Sequence, residues 1–325
     1  MSSGSGATTE RFRYHAAGLL IRTDVELSFP TADEDVGVDV DVRRGPDLGC
    51  AADPPLGEVV AAHDLTGEWW YVAVSDDDGY VIRFRGCGEF WISPALDVIE
   101  LRADPAGRPE LLPILLAGTV LSFLLTLRGQ TVLHASGVAF DGQAVALIGH
   151  SGHGKSTIAA LLCSRGADLV TDDVLVVDPE PRPTCVGGST EFRLRERSAS
   201  IAEQLPDATV RLTADGRHAI RPNRSTVGRV PLRGIIVPRR SRSATLVERR
   251  VLRPTQALYA MLACPRVHGW RDHAVITRDF STLSKLSNTV PVIEVTVPWG
   301  PPFRDDVVDQ LLAFARPPFG AAEQQ

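Results

Sequence analysis

The chain has 325 residues, 44% hydrophobic and 23% charged, which is long and apolar enough to bury a sizeable core in a main domain with a smaller companion. Its formal net charge of −6 gives no electrostatic footprint for nucleic acid or an anionic membrane, so neither is expected as a partner. Five cysteines (Cys50, Cys87, Cys163, Cys185, Cys264) form no C-x-x-C pair and leave one over, which excludes a disulfide framework and makes the cytoplasm the expected compartment.

Residues 1–10 are small and polar, without the basic-then-apolar order of a signal peptide, and read as a disordered start. Residues 11–105 read as a β-rich N-terminal region of antiparallel character, with strand-like runs at Gly18–Ile21, Val38–Val42 and Tyr80–Phe84. Ser75-Asp76-Asp77-Asp78-Gly79 predicts a hairpin turn between Tyr71–Val74 and Tyr80–Val81; its carboxylates serve turn geometry rather than a metal. Residues 106–318 form the second domain. It opens with Leu111–Leu127, which is interrupted by Pro113, Gly118, Thr119 and Ser122, and is expected as a buried helix rather than a membrane span.

A run from Thr131 to Phe140 precedes the apolar strand Ala144–Ile148, and Ile158–Leu162 then has helical density. Between them, Gly149-His150-Ser151-Gly152-His153-Gly154-Lys155-Ser156-Thr157 fills the G-x-x-x-x-G-K-[ST] template without a mismatch. The chemistry explains the pattern. Gly149, Gly152 and Gly154 let the backbone curl so that the amides of Ser151 to Thr157, His153 included, face one anion at a helix N-terminus. Lys155 reaches the β and γ phosphates and Ser156 offers a hydroxyl to Mg²⁺. The side chains of His150 and His153 are assigned no chemistry. Of 34 basic residues only Lys155 and Lys285 are lysine, so a compact ammonium stands where a guanidinium would clash.

Downstream, Leu169-Val170-Thr171-Asp172-Asp173 places two carboxylates at the C-terminal end of the next strand, expected to be a parallel strand facing the phosphates. Alternation would turn them to opposite sides and give them separate work: one on Mg²⁺, directly or through water, and the other taking a proton from an incoming hydroxyl. Later strands are expected at Gly234–Val237 and Val290–Val295, with a closing helix around Asp305–Phe314; Arg221, Arg224, Arg229 and Arg233 are candidates for a basic wall.

His134 to Val177 resembles the catalytic core of the HPr serine kinase family, with its His-containing strand, G-x-S-G-x-G-K-S loop and L-V-x-D-D strand. Tyr14–Thr23 and Leu127–Ser136 are similar to full-length HPr-kinase-like proteins of peptide-modification gene clusters, including lasso-peptide kinases. The resemblance implies an α/β fold with a P-loop core of HPr-kinase/PEP-carboxykinase-like type. It implies transfer of the ATP γ-phosphoryl group to a serine hydroxyl, with Lys155 and the loop on phosphate, Ser156 and Asp172 on Mg²⁺, Asp173 as base, and His134 either near the phosphoryl group or as a buried structural residue. The family's glycine-bearing E-I-R-G-x-G-type segment is replaced by Glu191-Phe192-Arg193-Leu194-Arg195-Glu196, with Glu191 as a candidate further metal or phosphate residue. The expected acceptor is therefore a serine of a ribosomally made precursor peptide or small protein rather than HPr. A kinase of a small hydroxylated metabolite and a nucleotide-binding scaffold remain as alternatives, and homo-oligomerisation stays open.

Overall fold

The computed structural model describes residues 11–316; the expected disorder of residues 1–10 and the end of the second domain, 317–318, lie outside them. Eight strands come first: β1 (Phe12–Ala16), β2 (Leu19–Thr23), β3 (Val40–Arg44), β4 (Glu58–Leu65), β5 (Glu68–Asp76), β6 (Gly79–Phe84), β7 (Gly88–Ile92) and β8 (Val98–Ala103). They form one sheet in the order β1-β2-β3-β8-β7-β6-β5-β4. The predicted hairpin is β5-β6, closed at Asp76↔Gly79, with the Asp76 carboxylate accepting the Asp78 N–H at 2.9 Å. The sheet is not wholly antiparallel. β2-β3 is parallel because residues 24–39 cross over instead of turning back, and β3-β8 is parallel because the chain returns beside β3 only after β4 to β7.

One face of this sheet is covered by the helix Pro109–Leu127, whose most apolar window has a mean hydropathy of 2.0 and is 72% buried in the molecule. It meets the length and composition of a membrane span, but Leu121, Phe123 and Leu124 pack into the same core as Ile82, Phe84 and Phe90. Each such side chain contributes about 1.5–3 kcal/mol by leaving water. Its middle, Leu116–Val120, winds as a π-helical turn.

The remaining chain builds a second, nine-stranded sheet. Its strands are β9 (Thr131–Leu133), β10 (Ala135–Phe140), β11 (Gln143–Ile148), β12 (Asp168–Thr171), β13 (Leu175–Asp178), β14 (Thr184–Val186), β18 (Arg229–Ser241), β19 (Glu248–Val251) and β20 (Val292–Pro298). β15 (Phe192–Leu194), β16 (Thr209–Leu212) and β17 (His218–Arg221) form a small sheet in the order β15-β17-β16. β18 runs parallel to both β11 and β20, and its first residues pair antiparallel with β14. Alternation along β11 fixes both layers. Val145 and Leu147 face the helices Lys155–Ser164 and Asp305–Ala315, whereas Ala144, Ala146 and Ile148 face Pro254–Leu262 and His273–Thr289. Helices on both faces of a sheet define a mixed α/β fold.

Two expectations need correction. The run Thr131–Phe140 is two strands, broken at His134, whose N–H leaves the ladder to bond the Cys264 carbonyl at 2.9 Å. β12 is the last strand of the sheet and pairs antiparallel with β10 rather than with a parallel strand; its outer side carries a single parallel bridge, Leu169↔Ser225. Since β10 is also antiparallel to β11, β12 and β11 still point the same way, and their C-terminal ends reach the same rim.

Candidate active site

β11 ends at Ile148 and the helix begins at Lys155, so the glycine-rich loop lies between a buried strand and a helix N-terminus. Gly154, the N-cap, has φ +94°. A Cβ there would lie 2.4 Å from the ring of Trp299, which leans over the loop and carries the Arg240 guanidinium 4.9 Å from its centroid. The first-turn amides of the helix have no carbonyl behind them within the helix and are available to an anion. Lys155 is 5% exposed and curls through the loop to donate to the carbonyls of Gly149 (2.7 Å) and His150 (3.3 Å). Burial lowers its pKa, while the nearby Asp172 and Asp173 act to raise it.

Both aspartates fall just after β12, so strand alternation does not separate them, and they line the same cleft. The turn separates them instead: Asp173 takes φ +75°, in the left-handed region that a non-glycine residue adopts at a cost. Asp172 is buried; Oδ1 accepts the Ser136 hydroxyl at 2.5 Å and Oδ2 accepts the Arg193 N–H at 3.1 Å, and Ser156 lines the same cleft. Burial, assisted by the neighbouring Asp173 charge, raises its pKa above the usual carboxylate range. Asp173 goes the other way. Its burial is outweighed by Arg266, whose Nη2 donates to Oδ2 at 2.7 Å, so its pKa lies well below that range.

His134 Nε2 lies 3.4 Å from Asp173 Oδ1. Burial pushes the imidazole down to about 3 against the pull of Asp173, so it is neutral at physiological pH and Arg266 is the cation that holds Asp173 ionised. Arg266 in turn donates to Thr119 Oγ1 at 3.0 Å, which ties the carboxylate to the π-helical turn of Pro109–Leu127. Gly118 makes the approach possible: a Cβ there would lie 2.3 Å from Arg266 Nη2 and 3.3 Å from Asp173 Oδ2.

A cleft of about 1070 Å³ gathers these groups. Of the residues singled out in the sequence, His134, Ser151, Gly152, Gly154, Lys155, Ser156, Thr157, Asp172 and Asp173 line it. Gly149 lies behind, under the lysine, and the ring of His153 packs edge-on to His150 at 5.4 Å. The Thr157 hydroxyl bonds Ser198 Oγ at 3.3 Å. Arg221, Arg224, Arg229 and Arg233 do not line the cleft; Arg224 pairs with Asp168 and Arg229 with Asp178 instead. Its basic wall is Arg193, Arg195, Arg197, Arg217, Arg240 and Arg242. Glu191 is neither a solvated carboxylate nor part of this cleft: it is buried and paired with Arg211 at 2.6 Å.

Ser136, Arg193, Arg266 and Trp299 are the site residues that sequence reasoning missed. The Leu-Arg-Gly-Gln-Thr-Val-Leu-His-Ala-Ser run carried a signal for Ser136, and the Glu191–Glu196 segment contained Arg193. The others arrive from distant elements.

No protein-family model and no curated protein matches the chain. Among solved structures, it is similar to that of the Hpr(Ser) kinase/phosphatase from Coxiella burnetii at 13% identity and a TM-score of 0.29, over 56% of this chain and 93% of the other. A score this low does not establish a common fold.

Proposed function

We propose that this protein is a P-loop kinase that transfers the ATP γ-phosphoryl group to a hydroxyl, on a serine of a peptide or small protein such as a ribosomally made precursor peptide. The observation that carries the reading is convergence. Lys155, Ser156, Asp172, Asp173 and an arginine-rich wall share one cleft in a chain of net charge −6. Local cation density against global acidity is what a triphosphate requires.

The residues fit Mg²⁺. Ser156 and Asp172 are oxygen donors that line the same cleft, and Asp172 is a buried carboxylate held by a hydroxyl and a backbone N–H, with no ion-pair partner among the described residues. A site of one or two protein oxygens, completed by phosphates and water, is normal for Mg²⁺ on a nucleotide. When bound, the ion supplies charge neutralisation at the β and γ phosphates. Ser136 and the Arg193 amide hold Asp172 in place for it.

The rest is done by the chain. Loop amides and Lys155 bind the phosphates, Arg193 in the cleft wall offsets charge on the transferring group, and Arg266, outside that lining, holds the Asp173 carboxylate. Asp173 orients the acceptor hydroxyl. The new bond forms from that oxygen to the γ-phosphorus as the bond to the β,γ-bridging oxygen breaks; ADP departs, and the proton passes to Asp173 and on to solvent. A carboxylate with a depressed pKa is a weak base, so its main contribution is orientation, in keeping with a loose transition state that needs little proton removal early.

The test is to trace γ-labelled ATP with the full chain, Mg²⁺ and a pool of Ser-containing peptides. Label on peptide in the wild type and none in Lys155→Ala supports the reading; release only as inorganic phosphate refutes transfer. Label on added small polyols instead would favour a metabolite kinase, which the second cavity described below is small enough to suit.

A further inference from the structure

Asp172, Asp173 and Arg193 also line a second cavity, of about 390 Å³, on the side away from the glycine-rich loop. None of the loop residues reaches it. Its walls come from three places: residues 24–29 of the crossover between β2 and β3, the turn of the helix bearing Ile114, Ala117 and Gly118, and residues 211–214 at the end of β16. The carboxylates thus form a partition, with phosphate-binding groups on one side and a mixed apolar and polar chamber on the other. In-line transfer needs the entering oxygen opposite the leaving one, with Asp173 within reach of it. Gly118, which has no side chain to block the approach, faces the partition from the second side.

The geometry points to this second cavity as the acceptor site, taking a short extended peptide that lies along β16 and presents a serine or threonine hydroxyl to Asp173. The inference rests on the kinase reading above. The volume of 390 Å³, at the low end of small-ligand pockets, suits a short segment rather than a broad domain surface. Leu27, Phe29, Ile114 and Leu212 give it apolar walls, and Leu212 is 69% exposed, an apolar side chain left open at the mouth. Two of its residues carry buried polar atoms with no protein partner, Asp24 Oδ1 and Arg193 Nε. One requires a donor and the other an acceptor, which a peptide backbone carries side by side.

The strand edge favours a peptide over a sugar. β16 is the outer strand of β15-β17-β16, and all four of its residues are exposed. Both Arg211 and Leu212 border the cavity although successive strand residues point to opposite faces, so β16 meets it with its edge. An unpaired edge offers main-chain donors and acceptors to an added strand, with alternate side chains read by pockets.

The experiment uses the full chain with ATP, Mg²⁺ and a degenerate pool of seven-residue peptides with a central serine, read by phosphopeptide mass spectrometry. Nucleotide affinity is measured in parallel with a fluorescent ATP analogue. Ala117→Trp, which fills the chamber, and Leu212→Glu, on an exposed position that does not threaten folding, are expected to lose peptide labelling while nucleotide affinity stays at the wild-type value. Wild-type labelling by both variants overturns the site assignment and leaves the kinase reading standing. Labelling of polyols but of no peptide overturns the peptide occupant. A wild type that binds no nucleotide removes the kinase reading, and this inference with it.

Discussion

Replacing Arg266 by methionine, which keeps the stem and removes the guanidinium, isolates the interaction that holds Asp173. Breaking a buried ion pair by removing one partner costs roughly 3–5 kcal/mol. Here the Arg266 side chain is 14% exposed and that of Asp173 26%, so screening reduces the expectation to about 2–3 kcal/mol. Unfolding entropy of about 2.1 cal/mol/K per residue over 325 residues gives roughly 0.7 kcal/mol/K, and hence a Tm lower by about 3–4 °C. The pH dependence has a definite sign. With its folded pKa depressed, Asp173 contributes stability that is present above the ordinary carboxylate value of about 4 and lost as pH falls through the folded value. The Tm gap between wild type and variant is therefore full at pH 7 and narrows under acid conditions. Turnover should fall by about 10²-fold or more, because Asp173 loses the contact that aims it at the acceptor. Thermal melts from pH 3 to 8, with label transfer at pH 7.5, are the assay. A variant with unchanged melting and turnover would refute the reasoning, and a gap that widened in acid would show that Arg266 is not what holds Asp173 ionised.

The remaining expectations follow the same logic. Lys155→Ala should keep the fold, judged by circular dichroism, and lose about 10²-fold or more in transfer rate, because the side chain serves the loop and its anion. Asp172→Asn should lose transfer and weaken Mg²⁺-dependent nucleotide affinity, yet melt higher than wild type at pH 7; the raised pKa means that stability falls as pH rises through it, and a neutral side chain escapes that fall, so the gain should vanish near pH 4. Asp173→Asn should retain nucleotide affinity and lose transfer; equal loss of binding in both aspartate variants would contradict separate roles. Gly118→Val should place methyl groups against Arg266 and reproduce the turnover loss of Arg266→Met without removing a charge, measured by the same label transfer.

What could be read in the sequence was what local pattern encodes. The glycine-rich loop, the strand before it, the helix after it, the β5-β6 hairpin and the buried helix ending at Leu127 all stand where residue type and spacing put them. Asp172 and Asp173 reach the loop's cleft, but by a different route, since β12 ends at Thr171 and a left-handed turn takes over. The partners of those carboxylates were hidden for a physical reason. Arg266 lies 93 residues from Asp173 in sequence and is one arginine among 34 basic residues, so neither its type nor its spacing sets it apart. Trp299 likewise shows itself only through the ring that overhangs Gly154. The basic wall was sought at Arg221 to Arg233, on charge alone, whereas the fold assembles it from β15 and the segment after it, the turn before β17, and the end of β18.

The most direct test of the central claim is the fate of the γ-phosphate itself. With γ-labelled ATP, Mg²⁺ and a serine-peptide pool, the account predicts covalent label on a peptide hydroxyl in the wild type, abolished in both Lys155→Ala and Asp173→Asn. Label recovered solely as inorganic phosphate, or transfer undiminished in either variant, would contradict it.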